Sequence, residues 1–112
     1  LTSIQTDDFE TTGLDTMLEA YRSLDEEGEL PIRIYEEIQA ARPDKLKRLL
    51  DTGMRTGFGS DYFKIGNVKL LIDGSLGAGT AGMRQVYADD QDNKGVLVYT
   101  QEELNEIVGM AH

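Results

Sequence analysis

Cysteine is absent from the chain, which excludes a disulfide scaffold and any thiolate metal site. Histidine occurs once, as His112. Metal sites in hydrolases draw on several histidines, so these residues alone do not complete one. His112 suits a helix end, where the dipole favours a cation. Basic residues are scarce: 11 Lys and Arg stand against 21 Asp and Glu, a net charge of −10 over 112 residues. That charge repels nucleic acid and anionic membranes, so neither is an expected partner. No apolar run approaches the ~20 residues that span a bilayer. The first residues lack a basic stretch followed by an apolar one, so no secretory leader is expected in them, and the cytoplasm is the default location. With 39% hydrophobic and 29% charged residues, the chain has the balance of a packed globule. It begins at Leu1, already in a strand-like stretch, whereas natural domains begin and end in loops. Residues 1–112 are therefore expected to form a single partial domain of a longer protein.

Periodicity alternates short strands with helices. Leu1 to Gln5 is short and β-branched, a strand. Thr11, Thr12 and Gly13 are cap candidates for a helix whose stripe is Leu14, Met17, Leu18, Tyr21 and Leu24, and Gly28 stands where it would end. Leu30 to Tyr35 alternates as a second strand, with Pro31 tolerable at its start. Pro43 suits the first turn of a second helix, Leu46, Leu49 and Leu50 its apolar face, and Gly53 its end. Asn67 to Asp73 is the predicted third strand. A glycine-rich loop and a polar stretch lead to Thr100-Gln101-Glu102-Glu103, a capping box, followed by the stripe Leu104, Ile107, Val108 and Ala111. Strands separated by helices imply parallel pairing through right-handed crossovers. Three such strands leave two edges open, and unpaired edge amides invite self-association.

The third strand carries the sharpest chemical signal. Alternation sets Val68, Leu70 and Ile72 on one face and Lys69, Leu71 and Asp73 on the other. Lys69 is then a cation within an apolar strand, and an isolated buried ammonium is costly unless paired, deprotonated or modified. Asp73 is roughly 13 Å along the strand, too far to pair. The alternative is a lysine near an exposed sheet face with its head in water. In parallel α/β proteins, sites collect at the C-terminal strand ends. Those ends offer Gln5, Thr6, Asp7 and Asp8, then Tyr35, Glu36 and Glu37, then Asp73, Gly74 and Ser75. Gly77 to Gly82 matches G-x-G-x-x-G, but Gly74-Ser75-Leu76 separate it from the strand and no helical stretch opens at Gly82, so it lacks the setting of a dinucleotide loop.

The stretch Phe63-Lys64-Ile65-Gly66-Asn67-Val68-Lys69-Leu70-Leu71-Ile72-Asp73-Gly74-Ser75-Leu76-Gly77 resembles the type-3 amidohydrolases, the group that includes N-substituted formamide deformylases. Matches continue through Thr80-Ala81, Tyr87 to Asp90 and Gly95 to Leu97, with support at Thr2 to Gln5, Tyr21-Arg22, Gly28 to Arg33 and Arg55 to Gly59. The resemblance implies an α/β fold, a segment of a TIM (β/α)8 barrel with about three parallel βα units, barrel strands two to four. It implies a metal-dependent hydrolase of C–N bonds in a small amide-like substrate. In that superfamily a strand-four lysine, matched by Lys69, is often carbamylated and bridges two divalent metals, usually zinc, which acidify a water for attack on the amide. Asp73 is the implied catalytic candidate at the mouth of the site, with Asp7 and Gln5 as further candidates. The family's strand-one His-x-His and later histidines and aspartate fall outside this chain, so the segment alone is expected to be inactive and to hold no cofactor. The family commonly has arginine where this chain has Gly79. A non-catalytic acidic α/β assembly module is the alternative reading.

Overall fold

The computed structural model describes residues 1–8, 13–40 and 42–112, which fall into two units, Leu1–Leu70 and Leu71–Met110. In the first unit β1 (Ser3–Thr6), α1 (Leu14–Glu26), β2 (Arg33–Gln39), α2 (Pro43–Asp51) and β3 (Phe63–Lys69) follow one another. The strands form one parallel sheet in the order β1-β2-β3. The cap candidates Thr11 and Thr12 lie outside the described residues. Gly13 precedes α1 with φ 86°, a left-handed value that glycine adopts without strain. Pro43 opens α2 at its first turn, as its fixed φ and missing N–H favour.

Both helices pack on the same face of the sheet. Leu14 and Met17 of α1 and Leu49 of α2 share one cluster with Ile34 and Ile38 of β2 and Phe63 and Ile65 of β3. On β2 the register partners Ile34↔Phe63, Glu36↔Ile65 and Ile38↔Val68 mark this face. Tyr35, Glu37 and Gln39 alternate onto the other, where they are only half-buried. Neighbouring strands in chain order, with successive helices on one face, build a barrel wall. A doubly wound sheet would instead send helices to both faces.

The third strand differs from its predicted span. It begins at Phe63 and ends at Lys69, and Ile72 beyond it is about half exposed rather than packed under helices. Gly66 and Asn67 lie at an irregularity inside the strand. Two steps along β2 from Glu36 to Ile38 match three along β3 from Ile65 to Val68. A Cβ on Gly66 would lie 2.4 Å from Tyr35 Cε1 and 2.8 Å from the Glu36 carbonyl oxygen, so only glycine lets the strands approach there. The second strand also runs further than predicted, through Glu36, Glu37 and Ile38 to Gln39.

The outer edge of β3 is partly taken up by the chain itself. The Ile65 amide donates to the Phe58 carbonyl at 2.7 Å, the Gly57 amide to the Ile65 carbonyl at 2.7 Å, and the Thr56 hydroxyl to the Gly66 carbonyl at 3.1 Å. One of the two edges that the sequence leaves open is thus occupied over its first half.

The second unit is a hydrogen-bonded loop system followed by α3 (Gln101–Ala111). The Val98 amide donates to the Ile72 carbonyl at 3.0 Å, and Asp73 and Leu97 form an antiparallel bridge. The capping box is present as predicted. Thr100 accepts the Glu103 amide, and the Glu103 carboxylate accepts the Thr100 amide at 2.8 Å. No helix among the described residues is long and apolar enough to cross a membrane.

Candidate active site at the carboxyl ends of the strands

Lys69 is the last residue of β3 and pairs in register with Gln39. It therefore lies on the face opposite α1 and α2, at the carboxyl end of the sheet. Its ammonium does not lack a partner within the chain. Nζ donates to Asp7 Oδ2 at 2.5 Å, with the two side chains 35% and 41% exposed. Register places Asp7 there. Gln5 pairs with Tyr35 and Thr6 with Glu36, so the next residue, Asp7, continues the Gln5 face beside Glu37. The hydrogen bond it donates to Asp7 raises the Lys69 pKa above its usual value, partial burial works against that, and the charges of Asp7 and Glu37 add to the rise. Lys69 is held here as an ammonium ion.

One residue along, the chain turns to the opposite face. The Asp8 amide donates to Glu36 Oε1 at 2.9 Å, and the Asp8 carboxylate accepts the Tyr21 hydroxyl. Tyr21 in turn stacks on Phe63, with ring centroids 5.0 Å apart. Glu36 is fully buried. Burial pushes its carboxyl up to about 7, opposed by the Asp8 amide and reinforced by the charges of Asp8, Asp7 and Glu37. Burial also pushes the Tyr21 phenol up to about 12, helped by its hydrogen bond to Asp8. Sequence reasoning placed Glu36 among the strand-end acids and Tyr21 in an apolar stripe. Strict alternation of Ile34, Glu36 and Ile38 was the available signal that Glu36 faces inward.

Asp73 belongs to the second unit. Its Oδ2 accepts the Gly82 amide at 2.9 Å and so ties down the glycine-rich loop. That loop contains a short 3-10 turn, Leu76–Ala78, with Gly79 left-handed at its end. No helix opens at Gly82, so the dinucleotide pattern lacks the helix terminus that would cradle a phosphate. His112 caps α3 through its backbone amide, bonded to the Val108 carbonyl.

Among the described residues no group of three or more His, Cys, Asp or Glu side chains could hold a metal ion. Lys69 can contribute only in another form, because an ammonium has no lone pair. A carbamate would bring oxygen donors, which suit divalent metals. Its negative charge, set beside Asp7 and near Glu37, would need nearby cations to neutralise it. In that limited sense Lys69 fits as one ligand of a larger set.

A parallel sheet with helices on one face and its polar ends gathered at the strand termini defines a segment of a TIM-barrel enzyme fold. Residues 1–112 match the amidohydrolase family throughout, and the chain belongs to that family. It is 27% identical over 94 residues to YtcJ of Bacillus subtilis (strain 168), a protein assigned to the amidohydrolases, and the match takes in 84% of this chain and 17% of that one. Two crystal structures of uncharacterized metal-dependent hydrolases are similar over 99% of the chain. The Pyrococcus furiosus protein has 28% identity and a TM-score of 0.72, and the Pyrococcus horikoshii OT3 protein 32% and 0.73. The chain spans about a fifth of either.

Proposed function

We propose that the chain supplies barrel strands two to four of a metal-dependent amidohydrolase that cleaves a C–N bond in a small amide-like substrate, as the N-substituted formamide deformylases do. The observation that carries this reading is the placement of Lys69 Nζ at the carboxyl end of β3, opposite the helices. In a closed barrel that face is the lumen, and that end is where reactions occur. Lys69, as a carbamate, is the residue assigned to hold divalent metal, zinc by our reading. Metal bound there would acidify a water and polarise the scissile carbonyl. Asp7 orients the lysine head across the strand end, and Glu37 adds negative charge that favours a cation over an anion. Asp73 is kept as the catalytic candidate that the family resemblance implies; within the second unit its carboxylate accepts the Gly82 amide. The enzyme is read as cytoplasmic.

The segment by itself is read as inactive, because most ligands of such a site are not among its residues. It is also read as prone to self-association through the sheet edge that β1 presents. In the longer parent protein, Lys69→Ala is expected to abolish both metal retention and amide hydrolysis. A variant that keeps either one removes Lys69 from the site. Zinc-dependent amidase turnover by the purified 112 residues would overturn the reading of an inactive segment.

A further inference from the structure

Glu36 is an acid set within an apolar layer. It is fully buried, flanked in register by Thr6 on β1 and Ile65 on β3, on the face that α1 and α2 cover. Oε1 accepts the Asp8 amide, while Oε2 is buried and has no hydrogen-bond partner among the described residues. Among the described residues, Asp8 after β1 and Tyr21 on α1 share its face, and the charges of Asp7 and Glu37 act on it from the opposite face of the sheet. From β3 and α2 the same layer presents Phe63, Ile65 and Leu49. Each charged neighbour in this set is an acid. An ionised carboxylate would have an unsolvated oxygen among like charges, whereas a neutral carboxyl carries no charge to solvate.

We propose that Glu36 is a proton-operated latch. While neutral, it lets α1 seat Tyr21 against Phe63 and Asp8; once ionised, it forces α1 and the Asp7-Asp8 turn away from the sheet. The two side chains of the turn hold opposite faces, Asp8 through Tyr21 and Asp7 through Lys69. Strain at Glu36 is therefore released at a turn that touches both faces.

The direction with pH follows from the raised carboxyl. Its ordinary value is 4.5 and its buried value about 7. Between them the unfolded form gives up the proton and the packed form keeps it. Rising pH then favours opening by about tenfold per unit across that window, and no further above it. The sign is opposite to that of an ordinary paired carboxylate, which stabilises as pH rises.

The test is hydrogen exchange of the α1 amides, corrected for intrinsic rates, together with carboxyl titration by carbon NMR on the full 112-residue chain. Between about pH 5 and 7 opening of α1 is expected to increase about fortyfold in the unaltered chain. It should stay flat and low in Glu36→Gln, with Glu36→Leu deciding the matter if the glutamine variant does not fold. A Glu36 carboxyl that titrates near its ordinary value would overturn the latch. So would an unchanged pH response in both variants, α1 protection restored at high pH by calcium or zinc alone, or a chain without helical signal throughout the range.

Discussion

Asp7 and Asp8 are adjacent in the chain yet serve opposite faces of the sheet. Asp7 Oδ2 meets Lys69 Nζ at 2.5 Å on one face, and the Asp8 amide meets Glu36 Oε1 at 2.9 Å on the other. The end of β1 thus joins the polar residues assigned to chemistry to the buried acid beneath α1. Replacing Asp7 separates the two roles. Asp7→Asn removes the charge that the Lys69 ammonium faces but keeps an oxygen acceptor. The Lys69 pKa is expected to fall from its raised position toward the ordinary lysine range, since the hydrogen bond to Asp7 is the largest cause of the rise. Nitrogen-detected NMR of the lysine side chains checks this. An unshifted Lys69 resonance would show that the pair does not persist in solution.

Gly66 is the position where sequence and packing conflict most directly. A β-carbon there would meet Tyr35 Cε1 at 2.4 Å and the Glu36 carbonyl oxygen at 2.8 Å. The ring can swing aside, but the carbonyl belongs to the neighbouring strand. Gly66→Ala is therefore expected to cost about 1–3 kcal/mol, as overpacked sites do. Adding Tyr35→Ala should restore only part of it. Urea denaturation of the single and double variants measures both. Full recovery in the double variant would mean that the carbonyl contact is absorbed by a small strand shift.

The alternation of strands and helices was legible because each element carries its own local signal. Leu14, Met17 and Leu18 repeat at helical spacing, Pro43 and Gly53 bracket α2, and Thr100 with Glu103 announces α3. The span of β3 was not fully legible: the sequence reading begins the strand at Asn67, and the Tyr35 ring and Glu36 carbonyl that explain Gly66 lie on the neighbouring strand. At the site, Lys69 and Asp7 were each recognisable as strand-end residues, but their pairing was not. The two are 62 residues apart, and their meeting depends on two strand registers and one bulge. Glu36 was hidden for a different reason. Three consecutive strand-end residues, Tyr35, Glu36 and Glu37, look alike in an acidic chain until alternation assigns the middle one to the core.

The interior of the first unit rests on a few fully buried side chains, and Ile38 is one that no water reaches. It sits in β2, the central strand, within the cluster shared by α1, α2 and β3. Truncation leaves a cavity that rigid neighbours on both sides cannot fill. Ile38→Ala is expected to destabilise the fold by about 2–5 kcal/mol. The matching change at Val108, half exposed on α3, should stay within about 0.5 kcal/mol. Denaturant midpoints of the two variants give the comparison, and equal shifts would argue against a core centred on β2.

The amino end of α3 offers a test confined to the second unit. Thr100 satisfies the Glu103 amide, and the Glu103 carboxylate returns to the Thr100 amide and hydroxyl. Thr100→Ala leaves helix-end amides without a side-chain acceptor, and the loss of such a cap costs about 1 kcal/mol. Those same bonds hold the Glu103 carboxyl below its usual range. A depressed carboxylate stabilises at pH above its unfolded value, and its contribution disappears as pH falls through the folded one. Helix content of α3, followed by backbone chemical shifts, should therefore decline on acidification in the unaltered chain. In Thr100→Ala it should start lower and respond less. Because Glu36 is expected to act in the opposite sense and sits in the other unit, acid should fray α3 while it tightens α1. A common response of both helices to pH would mean that one of the two carboxyls has been assigned the wrong partner.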